Sequence, residues 1–200
     1  ALMSVAMLAI VAVDAWGEQK LEITQKRSDA KLRAAAAEIQ VGNILASLPD
    51  EFQVINDLAT PDGDIGHLVA GPTGIFLLEA RNWRGTVSDN GKGELLLNGA
   101  PTEMPFIRHF TELTAKFHAR VAPPAPETHH EFKAIFVFTA AVVATRQSAT
   151  GDVICLSDDQ LYSYIVESNP SLKLKPDVVD ALVRAFLNTT NNGKIPLATR

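Results

Sequence analysis

The stretch GDIGHLVAGPTGIFLLEARNW, residues 63–83, contains two apolar runs on either side of a four-residue turn sequence. In GPTG, residues 71–74, the proline fixes φ and the two glycines permit left-handed backbone angles. The pattern therefore predicts two antiparallel strands joined by a tight turn. With a four-residue loop, Ala70 pairs with Ile75, and the numbers of paired residues sum to 145.

The predicted register puts charged residues at the open end of this hairpin. Gly66 lies opposite Glu79, and Asp64 lies opposite Arg81. Because side chains alternate along a strand, Glu79 and Arg81 share one face with aliphatic residues. Directly opposed side chains have Cβ atoms about 4.5–5.5 Å apart, so we expect Asp64 and Arg81 to form an ion pair. The hairpin therefore predicts a charged site at the end of an otherwise apolar strand.

Composition limits the classes of protein that this chain can represent. Its 200 residues, with 46% hydrophobic content, are enough for one well-buried domain. The formal net charge of −5 gives no overall attraction to a polyanion, which argues against tight, non-specific nucleic-acid binding. A single cysteine, Cys155, excludes an intramolecular disulfide, and its apolar neighbours predict a buried thiol.

The amino-terminal run ALMSVAMLAIVAV, residues 1–13, is apolar almost throughout. It is shorter than the roughly 20 apolar residues that a spanning helix needs, so we expect it to be the end of a longer segment. Trp16 suits a membrane interface, and the basic excess over residues 20–33 is typical of the cytoplasmic side. The sequence therefore predicts a single-pass anchor that holds the domain at the cytoplasmic face. The alternative is a helix packed on the domain or on a partner, in a cytoplasmic protein.

Beyond this run, helical and strand patterns alternate. Residues 18–47 are rich in alanine and predict one long helix that ends before Pro49. The remaining predicted elements are a strand at 52–58, the hairpin of 63–83, a second hairpin at 86–98, a helix at 104–121, strands at 133–140 and 152–156, a helix at 158–168 capped by Ser157, and a helix from Pro176. This order predicts an α/β fold with one mixed central sheet flanked by helices and preceded by the apolar helix.

The same pattern suggests a division of the chain into four parts. They are an apolar segment at 1–17, a helical connector at 18–37, a main domain at 38–168, and a carboxy-terminal helix with a tail at 169–200.

Four stretches carry a resemblance to a known family: LASLPDEFQVINDL (45–58), IGHLVAGPTGIFLLEARNWRG (65–85), LLLNG (95–99) and MPFIRH (104–109). Together they resemble the nuclease-related domain, NERD, a bacterial branch of the PD-(D/E)XK nuclease superfamily, from about Glu38 to Leu161. The resemblance implies an α-β-β-β-α-β core for the domain at 38–168. It also implies Mg²⁺-dependent phosphodiester cleavage by an acid on the first helix, an Asp on the second strand and an acid-x-Lys on the third.

Position by position, the resemblance makes Glu38 the helix acid and Glu79 the acid of the third strand. Gly66 stands where the family has its Asp, and Arg81 stands where the family has its Lys. Arg108 takes the place of a Gln that is usual after the PF-like pair. The active-site motif of the family is therefore degenerate in this chain.

These departures remove groups that Mg²⁺ chemistry needs. Mg²⁺ takes octahedral oxygen ligands, commonly one or two carboxylates with water and phosphate, and Gly66 offers no side-chain ligand. Arg81 cannot lose its proton, and its planar fork pairs with carboxylates or phosphates. Asp64 shares the strand face of Gly66 and is the one candidate substitute acid.

The sequence thus favours a degenerate, non-catalytic NERD domain that needs no cofactor. We expect it to act as a binding or structural partner of other proteins within a larger, membrane-anchored complex. The alternative is a Mg²⁺-dependent DNA nuclease whose site is rearranged around Asp64. A third hypothesis is DNA binding without cleavage, through Arg84 and Arg108 beside Arg81. His67 is predicted to be a core histidine, and Trp83 a packing residue at the strand end.

Overall fold

The structure, a computed structural model, describes residues 2–121, 132–149, 151, 153–169 and 173–189. Of the side chains before residue 24, only that of Lys20 is described. The chain divides into two compact units, Ala1–Ala36 and Ala37–Arg200. Every candidate site residue lies in the second unit.

A single helix, α1, spans Leu2–Leu45. It confirms the long helix predicted at 18–47, but it begins earlier and ends two residues sooner, in a turn that precedes Pro49. The side chains of the apolar segment 1–17 lie outside the described residues, so the predicted anchor stays a prediction. Within the part of the chain that is described, no helix has the length and apolar character needed to cross a bilayer.

Nine strands and three further helices follow α1 in the described ranges. The strands are β1 (Gln53–Thr60), β2 (Gly63–Gly71), β3 (Gly74–Arg81), β4 (Gly85–Asp89), β5 (Leu95–Leu97), β6 (Ala100–Pro101), β7 (Phe132–Phe138), β8 (Ala141–Val143) and β9 (Val153–Ser157). The helices are α2 (Phe106–Arg120), α3 (Asp158–Glu167) and α4 (Pro176–Asn188). The predicted α/β class is therefore confirmed.

The main sheet has five strands in the order β1-β2-β3-β7-β9. β1, β2 and β3 are antiparallel, whereas β7 is parallel to both β3 and β9. The predicted hairpin register is confirmed, because Ala70 pairs with Ile75 and His67 pairs with Leu78. Gly74 has a φ of 139°, which only a residue without a side chain adopts readily in this turn.

The expectation of one central sheet is wrong, because a second, four-stranded sheet has the order β6-β5-β4-β8. The hairpin predicted at 86–98 is confirmed as β4 and β5, while β6 and β8 were not predicted. After Arg81 the chain leaves the main sheet and turns at Gly85, whose φ is 113°. That backbone angle favours glycine, and a Cβ at Gly85 would lie 2.1 Å from Oδ1 of Asn98 and displace that side chain.

Two apolar cores cover the two faces of the main sheet. On one face, α2 and α4 pack over strand residues that include Leu68, Leu77 and Phe136. On the other face, α1 and α3 pack over residues that include Val69 and Leu78. Successive strand residues alternate between these cores, as the two-residue period of a strand requires. Burial on both faces accounts for the near-continuous apolar runs of the strands.

The predicted helices of the second half are confirmed. α2 begins at Phe106, and Pro176 lies in the first turn of α4, where its fixed φ suits the helix. Ser157 precedes α3 but makes no side-chain cap to the helix backbone, and its hydroxyl donates to Asp159 instead. Cys155 is buried, as predicted, and burial raises the pKa of its thiol to about 12.

Candidate functional site

The predicted charged site lies where the backbone ladder between β2 and β3 ends. The last pair of that ladder joins His67 to Leu78, one step before Gly66 and Glu79. On its other side, Gly66 faces Asp57 of β1, which has a φ of 52° and is skipped by the β1–β2 ladder. The strands therefore open around Gly66, and this opening gives side chains from elsewhere room to approach.

Glu79 is the central acid of this region, which we call the Glu79 site and define as Glu38, Gly66, Glu79 and Arg81. Oε2 of Glu79 accepts a hydrogen bond from Nη1 of Arg81 at 3.0 Å. Oε1 accepts a long hydrogen bond of 3.4 Å from the backbone N–H of Gly66. Burial raises the pKa of Glu79, the Arg81 cation opposes that rise, and the nearby Glu38 carboxylate adds to it. Both oxygens of Glu79 are thus engaged within the protein.

Arg81 is held on several sides. Nη1 also donates to the carbonyl oxygen of Ala80 at 2.9 Å. Its guanidinium carbon lies 5.3 Å from the ring centroid of Phe106 and 5.5 Å from that of Phe136. A cation is attracted to aromatic faces at these distances, so the two rings and Glu79 together fix the guanidinium. Only 26% of the Arg81 side chain is exposed, which leaves little of it available to a ligand.

The expectation of an ion pair between Asp64 and Arg81 is wrong. Asp64 pairs through its backbone with Ala59 of β1 and has an exposed side chain, while Arg81 pairs with Glu79. The β2–β3 ladder ends at His67, so the two strands no longer hold Asp64 and Arg81 at directly opposed positions. Asp64 therefore takes no part in the ion pair that fills the site.

Glu38 reaches the site from α1 and contacts His67 of β2. Nε2 of His67 lies 2.8 Å from Oε2 of Glu38, and Nδ1 lies 2.7 Å from Oδ1 of Asn56. The Nε2–Oε2 distance is that of an ion pair when the imidazole is protonated, but the two groups are not aligned as a hydrogen bond. His67 is 3% exposed, which confirms the prediction of a core histidine.

Gly66 leaves open the position of the aspartate that the family pattern implies, and Glu38 fills part of that space. A Cβ at Gly66 would lie 3.0 Å and 3.3 Å from the two carboxylate oxygens of Glu38, and 3.2 Å from the carbonyl oxygen of Leu78. These distances are shorter than ordinary van der Waals contacts, so an added side chain requires the Glu38 carboxylate to move. A side chain at position 66 therefore fits only after a small shift of the Glu38 carboxylate.

The Glu79 site does not fit Mg²⁺ as it stands. Gly66 supplies no side-chain oxygen, and Arg81 already occupies one carboxylate oxygen of Glu79. A divalent cation beside this fixed guanidinium meets repulsion where it needs a further oxygen ligand. Across the residues that the structure describes, no three or more His, Cys, Asp or Glu side chains are grouped so that they could hold a metal ion.

The other predicted site residues lie on the surface. Arg84 and Arg108 are exposed, and the backbone N–H of Arg108 donates to Oε1 of Glu94 at 3.1 Å, at the start of α2. A carboxylate at this end of a helix satisfies free backbone donors. Trp83 packs on Phe106 with ring centroids 5.1 Å apart, which confirms that it is a packing residue.

Sequence reasoning missed the side chains that hold the two acids and Arg81 in place. Phe106 and Phe136 were recognisable as apolar positions, but nothing in their pattern indicated that they flank Arg81. The contact of His67 with Glu38 was missed because it joins α1 to β2 across residues distant in sequence.

The fold and the Glu79 site define the class of this protein. It is an α/β domain with one acid, Glu38, on its first helix and another, Glu79, near the end of its third strand. The family model of the nuclease-related domain, NERD, matches residues 33–110 of this chain. The resemblance is thus confirmed for a segment that includes the whole Glu79 site together with Asp64, Arg84 and Arg108. Searches among curated proteins and among solved structures gave no match to the chain.

Proposed function

We propose that this chain carries a degenerate NERD domain that does not cleave phosphodiesters and acts as a binding or structural partner in a protein complex. The observation that carries the proposal is the contact of Arg81 with Glu79, in which Nη1 lies 3.0 Å from Oε2. The family pattern implies a lysine at this position, which orients the attacking water. Arginine does not lose its proton, and here its charge is committed to Glu79, so it does not replace that lysine.

The protein cation next to Glu79 supports the proposal. Carboxylates that share a small site repel each other unless positive charge lies nearby. Arg81 lies against Glu79, and its guanidinium provides positive charge where the family pattern implies a metal ion. The site is therefore compatible with folding in the absence of a metal.

The order of elements supports the finer assignment of the fold as a PD-(D/E)XK-like α-β-β-β-α-β core. α1 precedes antiparallel β1, β2 and β3, and α2 lies between them and β7, which is parallel to β3. A helical crossover is the usual connection between parallel strands. On this assignment, β4, β5 and β6 form an insertion between β3 and α2.

We also propose that the apolar run at 1–13 anchors the domain at the cytoplasmic face of a membrane and that its partners are proteins. The support is the sequence of this run and the basic excess that follows it. Protease added to intact, right-side-out cells should leave the folded domain uncut. Rapid digestion of the domain under these conditions would contradict the proposed orientation.

A nuclease assay tests the absence of catalysis. Supercoiled plasmid and a single-stranded oligonucleotide are incubated with the full chain in Mg²⁺ or Mn²⁺, beside a Glu79→Gln variant purified in the same way. That variant keeps the shape of the side chain but removes the carboxylate. We expect no cleavage by wild type above the level of the variant. Metal-dependent cleavage by wild type that Glu79→Gln loses would overturn the proposal.

One observation favours the alternative of a Mg²⁺-dependent nuclease with a rearranged site. The Glu38 carboxylate contributes to the raised pKa of Glu79, which indicates that the two acids lie close enough to interact. A divalent ion between them requires Arg81 to turn away and Asp64 to turn in. In that case, Asp64→Asn should abolish cleavage in the same assay. DNA binding without cleavage through Arg84 and Arg108 should instead appear as a gel shift that Asp64→Asn leaves unchanged.

A further inference from the structure

A cavity of about 540 Å³ lies at the turn end of the β2–β3 hairpin, whereas the Glu79 site lies at the open end. Its walls come from the hairpin turn, the segment between α1 and β1, the end of α3 and the start of α4. The apolar part of the wall includes Pro72, Val166, Leu174 and Val179. The volume is in the range of small-molecule sites, roughly 300–1,000 Å³. We call it the hairpin-turn cavity.

Two hydrogen bonds hold the walls of the hairpin-turn cavity together. The hydroxyl of Thr73, in the turn, donates to the carbonyl oxygen of Ile165 in α3 at 2.6 Å. The backbone N–H of Leu174, just before α4, donates to the carbonyl oxygen of Pro72 at 3.0 Å. Thr73 and Leu174 are each only 9% exposed. The cavity is therefore formed in the absence of a ligand, as small-molecule sites usually are.

Two opposite charges line this cavity without meeting each other. Glu51 and Lys173 both contribute to its wall. Among the residues that the structure describes, neither side chain has an ion-pair or hydrogen-bond partner. Opposite charges within about 4 Å form an ion pair, so the Glu51 carboxylate and the Lys173 ammonium lie farther apart than that. The cavity thus offers a negative group, a positive group with a gap between them, and an apolar wall.

We propose that the hairpin-turn cavity binds a small zwitterion with an apolar body, either an apolar amino acid or an apolar dipeptide. The ammonium group of the ligand pairs with Glu51, its carboxylate pairs with Lys173, and its side chains cover the apolar wall. A ligand with a single charge would leave either Glu51 or Lys173 without a partner, whereas a zwitterion pairs with both. The proposed function makes no use of this cavity, so the two proposals stand or fall separately.

The test is a calorimetric titration of the full chain with leucine, with the dipeptide leucyl-leucine and with two blocked forms of that dipeptide. The N-acetyl form lacks the ammonium group, and the amide form lacks the carboxylate. We expect saturable binding of the free dipeptide and a roughly two- to fivefold loss of affinity for each blocked form, because ion pairs to exposed side chains are weak. The relative affinities of leucine and leucyl-leucine show which of the two sizes of ligand fits the cavity better.

Variants that remove one charge identify the partner of each ligand group. Glu51→Gln should bind the free dipeptide and its N-acetyl form equally, and it should still discriminate against the amide form. Lys173→Gln should show the opposite pattern. Matched controls are Glu167→Gln at the end of α3 and Lys175→Gln just before α4, since both side chains are exposed and lie outside the lining of the cavity. Both controls should discriminate among the ligands as wild type does.

A third variant tests the place of binding. Val166→Phe puts a larger side chain into the wall and should abolish binding, while thermal melts confirm that every variant is folded. Absence of saturable binding by wild type would overturn the proposal. It would also be overturned if Glu51→Gln and Lys173→Gln left the discrimination against the blocked dipeptides unchanged. Undiminished binding by Val166→Phe would show that the ligand binds elsewhere and would refute the assignment to this cavity.

Discussion

Replacing Gly66 with Asp and Arg81 with Lys should create metal-dependent stability that the wild-type protein lacks. In wild type, Glu79 contacts the guanidinium of Arg81, and Glu38 fills the space beside Gly66. A metal ion therefore has no preformed site, and a ligand that does not bind the native state cannot stabilise it. The double variant adds a third carboxylate and exchanges the fixed guanidinium for a flexible ammonium.

The expected size of the effect follows from the contacts around Gly66. The new Cβ would lie 3.0 Å from a Glu38 oxygen, so the aspartate must displace that carboxylate and add negative charge beside it. Overpacking typically costs about 1–3 kcal/mol, so in EDTA the double variant should melt roughly 2–12 °C below wild type. A metal at about 100 times its Kd returns about 2.7 kcal/mol, or roughly 5–10 °C for a domain of this size.

The assay is a set of thermal melts in millimolar Mg²⁺, in Mn²⁺ and in EDTA. Gly66→Asp alone should regain less stability with metal than the double variant, because Arg81 competes for the new carboxylate. Gly66→Asn is the matched control, since it adds nearly the same volume without charge and should gain nothing from metal. The reasoning is refuted if Mg²⁺ raises the melting temperature of wild type by roughly 5 °C or more and Glu79→Gln removes that rise.

The raised pKa of Glu79 should make stability depend on pH, because the folded state then binds more protons than the unfolded state, whose carboxyl titrates near 4.5. The contribution of Glu79 to the free energy of unfolding is therefore fully present below pH 4.5 and is lost as the pH rises through the pKa of the folded state. Urea unfolding of Glu79→Gln at several pH values should lack this pH dependence. Arg81→Met should lower the free energy of unfolding by about 2 kcal/mol, because it leaves a largely buried carboxylate without its cation. Arg81→Lys should lower the free energy of unfolding by less than Arg81→Met, because it keeps a cation beside Glu79. Equal losses for the two variants in urea titrations would show that the charge of Arg81 does not stabilise the fold. Gly71→Ala should destabilise by roughly 1–3 kcal/mol, because its Cβ would lie 2.1 Å from Cδ1 of Phe52. Gly42→Ala should instead stabilise α1 by about 0.5–1 kcal/mol, because its nearest side-chain neighbour is 3.8 Å away, and chemical denaturation of both proteins checks the two signs.

The hairpin and its register from the turn to the His67–Leu78 pair could be predicted from sequence. The four-residue turn fixes which residues face each other, and the two-residue period of a strand then assigns their side chains to the two faces. Pro176 likewise marked the beginning of α4, whereas α2 begins at Phe106, two residues after its predicted start. The degenerate motif could be recognised from sequence because it depends only on the residue types at positions 66 and 81.

The second sheet could not be predicted in the same way. β6 and β8 have two and three residues, which is too short for a strand pattern to be recognised. Their pairing with β4 and β5 depends on the corner at Gly85, where the chain leaves the main sheet.

The partners of the charged side chains were decided by tertiary structure. From local register alone Arg81 was expected to pair with Asp64, but in the fold it contacts Glu79 and two phenylalanine rings, one of them from α2. Glu38 meets His67 only because α1 packs on that face of the sheet. Turn length and alternation are local properties, so residue order alone determined the register and the degenerate motif. A long charged side chain reaches several neighbours, and only the packing of the helices on the sheet determines which of them lies within contact distance.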